Sequence, residues 1–184
     1  MKKKLLLLVS IIGFHQAGNA QSYDGKDDTK IFLGYTNIGS KSGIDFQVDR
    51  GLSDLISCGA RMTVLINPDN RKTNNSVDEG FKAFDAIDAS AFLRFHFSEP
   101  LRLSEKIDPF ISLDAGLRSI GANIGVKYNF SEVIGIYAFY GYSFSNSFGG
   151  AHNVDTVDYD TFENNVNYFG KKNSIACGVT FNIF

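Results

Sequence analysis

The chain has 184 residues, 43% hydrophobic and 21% charged, with 17 Phe, 8 Tyr, no Trp and a formal net charge of −2. A mildly acidic sequence without a basic cluster excludes nucleic acid as a partner. No segment after residue 20 reaches the length of a transmembrane helix, so any membrane crossing has to be built from strands.

Lys2, Lys3 and Lys4 precede an apolar run from Leu5 to Phe14, and the small residues Gly18-Asn19-Ala20 follow. This order predicts a secretory signal peptide over 1–20, cut after Ala20 to leave Gln21 first in a single mature domain, 21–184. The apolar run is too short for a spanning anchor of ~20 residues, and no Cys lies near the cut as a lipoprotein would require. Losing three lysines takes the net charge from −2 to −5.

Gln21 to Thr29 is polar and reads as a short disordered lead-in. Beyond it, side-chain character alternates with period two, the mark of strands whose successive residues point to opposite faces. The first strand is predicted over Lys30–Asn37, with Ile31, Leu33 and Tyr35 on its apolar face. After the loop Gly39–Ser42, the second covers Gly43–Arg50, with Ile44, Phe46 and Val48 against Asp45, Gln47 and Asp49. A tight turn, Gly51–Asp54, leads to the third, Leu55–Ile66, with Cys58, Ala60, Met62 and Val64 opposite Ser57, Gly59, Arg61 and Thr63. Asn67–Phe81 is a polar loop.

The fourth strand, Lys82–Phe97, sets Ile87, Ala89, Ala91, Leu93, Phe95 and Phe97 against Asp88, Ser90, Phe92, Arg94 and His96. Ser98–Lys106 is a connection. Three runs between Ile107 and Phe144 form strands five to seven, joined by the short links Arg118–Gly121 and Ser131-Glu132. Asn146–Lys171 is a long irregular stretch, and Lys172–Phe184 is the eighth strand. These runs exceed the usual 5–6 residues of soluble strands and suit the roughly 9–11 of a tilted bilayer-crossing strand.

The fold class this pattern predicts is all-β: an eight-stranded antiparallel up-and-down barrel. Its non-apolar face carries Asp45, Asp49, Asp88 and Asp114 with Arg61, Arg94, Arg118 and Lys127. Mixed charges among glycines suit a narrow lumen, and aromatics such as Tyr35, Phe95, Tyr128, Phe130 and Phe144 near strand ends suit interfacial girdles. Apolar faces therefore point to lipid, making this a transmembrane barrel rather than a soluble lipocalin-like one with an apolar cavity.

The leader ending in Asn19-Ala20-Gln21, the alternating runs and the close Thr180-Phe181-Asn182-Ile183-Phe184 resemble the small outer-membrane β-barrels of the OmpA/OmpX type. The resemblance implies location in the outer membrane of a Gram-negative-type cell, outer-membrane lipid as surroundings, and a terminal signal for the barrel-assembly machinery. That signal falls on Phe181, Ile183 and Phe184; Phe181 and Ile183 share a face and Phe184 takes the other. It also implies periplasmic termini, which makes Gly39–Ser42, Asn67–Phe81, Arg118–Gly121 and Asn146–Lys171 the outer loops.

Cys58 and Cys177 lie on non-neighbouring strands and face lipid, so they are expected as free thiols. The inward charges are expected to plug the lumen with ion pairs, Arg61 with Asp88 among them; an ion path is the alternative. No catalytic residue, cofactor or metal is expected. A lipid-modifying enzyme is a rival reading, but the mature domain has only His96 and His152 and no Ser-His-acid spacing stands out. Asp155, Asp158, Asp160 and Glu163 are a weak calcium candidate without EF-hand spacing. Tyr159, Phe162, Tyr168 and Phe169, interleaved with those acids, either present an adhesive surface or fold back over the barrel mouth. The resulting expectation is a non-enzymatic monomer with a structural or surface-interaction role, meeting any extracellular partner through loops 67–81 and 146–171.

Overall fold

Alternation carries through the structure residue by residue. The computed structural model describes residues 21–66, 71–72, 78–79, 86–146 and 168–183. Its strands are β1 (Thr29–Ile38), β2 (Lys41–Gly51), β3 (Ile56–Leu65), β4 (Arg71–Lys72), β5 (Asp78–Glu79), β6 (Ile87–His96), β7 (Ile107–Gly116), β8 (Ser119–Asn129), β9 (Ile134–Asn146) and β10 (Asn173–Ile183). Eight of them close into an antiparallel barrel in the order β1-β10-β9-β8-β7-β6-β3-β2. The seam is a full ladder between the first and last strands, from Thr29↔Ile183 to Ile38↔Ser174, which closes the barrel without an edge.

The separate β4–β5 pair, Arg71↔Glu79 and Lys72↔Asp78, corrects the expectation of a plain loop over 67–81. Two far-mouth joints are also tighter than the sequence suggests, while the link expected as Ser131-Glu132 widens to 130–133. β2 starts at Lys41, leaving Gly39-Ser40 as the turn, where Gly39 takes φ +59. β8 starts at Ser119, leaving only Leu117 and Arg118 between β7 and β8. Pairing runs on to the turn because every unpaired backbone group in an apolar setting is costly. Residues 82–85, expected at the start of the fourth strand, lie outside the described residues.

The two faces of the wall are chemically opposite. Outward positions are apolar and open: Ile44, Leu113, Ile124, Ile136, Tyr140 and Ile175 are all exposed, Ile124 and Ile175 to 60%. Inward positions are polar or aromatic and closed: Phe32, Asp45, Ser57, Lys127 and Thr180 are fully buried. Small inward residues make room for large ones. A Cβ on Gly34 would strike the Cys177 carbonyl and the Tyr137 hydroxyl, and one on Gly59 would strike the Val48 carbonyl and the Phe92 ring.

Both ends of the described chain lie at one mouth, the near mouth, with the turns 52–55, 97–106 and 130–133. There Gln21–Asp28 corrects the expected disorder. Ser22 is fully buried, its N–H and Oγ donating to the Glu105 carbonyl at 2.7 and 3.0 Å. Asn129 Nδ2 donates to the Gln21 carbonyl at 2.6 Å, and the Gly51 N–H donates to the Asp28 carbonyl. At the far mouth Ile38, Leu65, Ala86, Tyr168 and Phe169 form an apolar cluster.

Candidate functional site: the filled lumen and its near mouth

The lumen holds a polar cluster toward each mouth with aromatic side chains packed between them. In the far cluster Asp45, fully buried, accepts from Arg61 Nε, Gln47 Nε2, Thr63 Oγ1 and the Tyr137 hydroxyl. Arg61 Nη1 reaches on to Asp114 Oδ2 at 3.3 Å, and Asn123 Nδ2 donates to the same oxygen at 2.7 Å. Four donors on one carboxylate satisfy a charge that would otherwise cost several kcal/mol to bury.

The expected Arg61–Asp88 pair is not formed. Asp88 accepts instead from the Arg118 N–H and Ser119 Oγ, each at 2.9 Å, next to the β7–β8 turn. Register alone does not decide between them: Asp45 on β2 and Asp88 on β6 both stand opposite Thr63, each diagonal to Arg61. The guanidinium turns to Asp45 and Asp114, while the β7–β8 turn supplies the donors to Asp88.

Midway, Arg94 is enclosed by rings, its guanidinium carbon 4.3, 4.6 and 5.0 Å from the centroids of Phe110, Phe92 and Phe32. Its Nη1 pairs with Asp49 and its Nη2 donates to Gln47 Oε1 at 2.8 Å. Cation–π contacts of this kind favour Arg because its flat, weakly hydrated head stacks on aromatic faces.

The near cluster centres on His96. Its Nε2 lies 2.7 Å from Ser57 Oγ and its Nδ1 lies 2.6 Å from Asp108 Oδ2. Lys127 Nζ donates to the same Asp108 oxygen at 2.9 Å. Tyr23 closes this cluster from the near mouth. Its ring stacks on His96 at 3.5 Å and 6°, and Lys127 lies 5.1 Å from its centroid. The Tyr23 hydroxyl lies 2.5 Å from the Ser53 carbonyl and 2.8 Å from that of Ile56, so its one proton is shared between two acceptors. Burial, then the nearby carboxylates Asp49, Asp28 and Asp108, push the Tyr23 phenol above its ordinary range. Beside it Lys30 Nζ bridges Asp28 at 2.9 Å and Asn182 Oδ1 at 2.8 Å.

Seven of the charged residues expected in the lumen sit at inward strand positions, Asp45, Asp49, Arg61, Asp88, Arg94, Asp114 and Lys127, while Arg118 is buried in the β7–β8 turn. Lys30, Ser57 and Asp108 were missed as members, although each sits at the inward parity of its strand. No Ser-His-acid spacing stands out along the sequence, but the fold brings Ser57, His96 and Asp108 together. Among the described residues, no three His, Cys, Asp or Glu side chains converge as a metal ion needs. Asp155, Asp158, Asp160, Glu163, His152, Tyr159, Phe162 and Phe184 lie outside the described residues. Tyr168 and Phe169 are buried at the far mouth, which is the folded-back alternative for that end of the stretch 146–171. Phe181 and Ile183 are on the outer face. Cys58 and Cys177 are unpaired thiols.

This architecture is that of the eight-stranded transmembrane β-barrels. The chain matches a de novo designed transmembrane β-barrel with a TM-score of 0.53 at 8% identity, covering 87% of this chain and 98% of that one. It matches the N-terminal β-barrel domain of Pseudomonas aeruginosa OprF with a TM-score of 0.50 at 14% identity, covering 87% of this chain and all of that domain (100%). By sequence the chain belongs to the Family of unknown function (DUF6646), matched over residues 12–183. No curated protein matches it.

Proposed function

We propose that this is an outer-membrane β-barrel of the OmpA/OmpX type, inserted as a monomer after removal of residues 1–20. The carrying observation is the inversion of the wall: apolar residues such as Leu33, Leu113, Ile124, Ile136 and Ile175 are exposed while Asp45, Ser57 and Lys127 are fully buried. In water that belt would be a far larger apolar patch than soluble monomers tolerate. In lipid it is the outer surface that a barrel needs. Barrel strands of 10 to 13 residues are long enough to cross a bilayer at a tilt.

The packed ion pairs and rings favour a structural or surface-interaction role over conduction. Outer-membrane lipid surrounds the belt, and the barrel-assembly machinery reads the last strand through Phe181 and Ile183, with Phe184 following. The near mouth is then periplasmic, and extracellular partners are met through the stretches 67–81 and 146–171. The test is heat-modifiability of the detergent-extracted membrane fraction. Faster migration of the unboiled protein, with none in the soluble fraction, supports the reading. A soluble protein with no shift overturns it.

A further inference from the structure

The near cluster has the order of an acyl-transfer site. Asp108 accepts from His96 Nδ1, which assigns the ring proton to that nitrogen and turns the Nε2 lone pair toward the Ser57 hydroxyl at 2.7 Å. Ser57, His96 and Asp108 come from β3, β6 and β7, three consecutive staves of the barrel, which fixes them rigidly. Arg94 stands directly opposite Ser57 in the β3–β6 register, and its buried Nε has no hydrogen-bond partner among the described residues.

What withholds this group is a side chain that does not belong to the wall. Ser57 is fully buried, and the ring stacked on His96 is Tyr23, from the segment that precedes β1. Tyr23 also lines a cavity of about 440 Å³ at the near mouth, with Asp24, Asp54, Glu99, Arg102 and Glu105. Tyr23 therefore touches both the cavity and His96.

We infer that Ser57 is a latent nucleophile for an acyl ester entering from the near mouth, with His96 as its base, Asp108 as a positioning residue and Tyr23 as the lid. Ser57 Oγ bonds to the ester carbonyl carbon as its proton passes to His96 Nε2. The ester C–O bond breaks and the alcohol leaves with that proton. Water then attacks the acyl-serine, giving a proton to His96, which returns it to Ser57 as the acid departs. Four carboxylates against one guanidinium at the mouth select an uncharged or cationic ester over an anion.

The inference needs only the barrel and not its location, so it is tested apart from membrane insertion. Purified mature protein in detergent is treated with a biotinylated fluorophosphonate, and the labelled peptide is identified by mass. Heat-modifiability confirms that each variant is folded. Tyr23→Ala is expected to label at Ser57 about tenfold faster than the parent, the opening gained by losing the tyrosine's hydrogen bonding to two carbonyls. In that background Ser57→Ala abolishes labelling and His96→Gln lowers it by about a hundredfold. Asp108→Asn shifts the pH profile of labelling, which a merely structural aspartate would leave in place. Should Tyr23→Ala fail to fold, the pair Ser22→Ala and Asn129→Ala loosens the segment at Ser22 and Gln21 instead. Folded lid variants that label no faster than the parent, or labelling that survives Ser57→Ala, overturn the inference.

Discussion

Replacing Arg61 with Met tests whether the far cluster holds the barrel together. Arg61 donates to Asp45 and to Asp114, whose side chains are 0% and 12% exposed. Met keeps most of the aliphatic bulk and removes the charge, leaving two carboxylates in a closed lumen. Two charge-assisted hydrogen bonds at about 1.5–3 kcal/mol each give about 3–6 kcal/mol. Breaking a buried pair from one side costs about 3–5 kcal/mol, so the two routes agree near 4. With a urea slope of about 2 kcal/mol per molar, the unfolding midpoint should fall by about 2 M. The chain has no Trp, so the assay is the fraction of heat-modifiable band across a urea series in phospholipid vesicles. Adding Asp45→Asn to Arg61→Met removes one stranded charge and should recover part of the loss. A midpoint lowered by less than about 0.5 M, equivalent to about 1 kcal/mol, would refute the claim that these charges depend on Arg61.

Three further outcomes are expected. Ile124→Arg, at the centre of β8 on the outer face, should cost about 2–4 kcal/mol in a bilayer, read from the same urea series; a neutral result would mean that face meets water. Gly34→Ala forces a methyl against the Cys177 carbonyl and the Tyr137 hydroxyl, and should lower stability by about 1–3 kcal/mol. Tyr23, with its phenol raised by burial and nearby carboxylates, should be absent from the phenolate absorbance that develops near an ordinary tyrosine value of about 10. Because its seated value is the higher one, its contribution to seating is complete below about pH 10 and is lost as pH rises beyond it. The absorbance difference from Tyr23→Phe isolates it, and a phenol titrating with the exposed tyrosines would refute the lid's burial.

The wall of this barrel was legible in the sequence because period two leaves few alternatives over runs as long as Ile134–Phe144. Its interior was legible only in part. Parity says that Arg61, Asp45 and Asp88 all face inward, but depth follows from register and tilt, which no single strand encodes. Even at one level the partner is open: Asp45 and Asp88 both stand opposite Thr63, and Arg61 takes Asp45 and Asp114 while the β7–β8 turn takes Asp88. The Ser57–His96–Asp108 grouping was hidden by its sequence separations, 39 residues from Ser57 to His96 and 12 on to Asp108. A signal was present nonetheless. Ser57 and Asp108 are the second residues of β3 and β7, and His96 is the last of β6, so all three sit at one mouth at the inward parity. Gln21–Asp28 was misread because polarity alone suggests disorder; the aromatic Tyr23 was the cue to a docked segment.

Gln47 has a consequence of its own. Its amide oxygen accepts from Arg94 while its amide nitrogen donates to Asp45. One neutral side chain thereby ties the far cluster to the Arg94–Asp49 pair midway, with opposite ends matched to opposite charges, and it can turn over only by losing both bonds. Unseating Asp45 or Arg94 therefore costs this amide one of its two bonds. Such an interior does not yield in instalments. A force or ligand that unseats one of these two ion pairs must contend with the other, so the pair forms one lock rather than two independent stoppers.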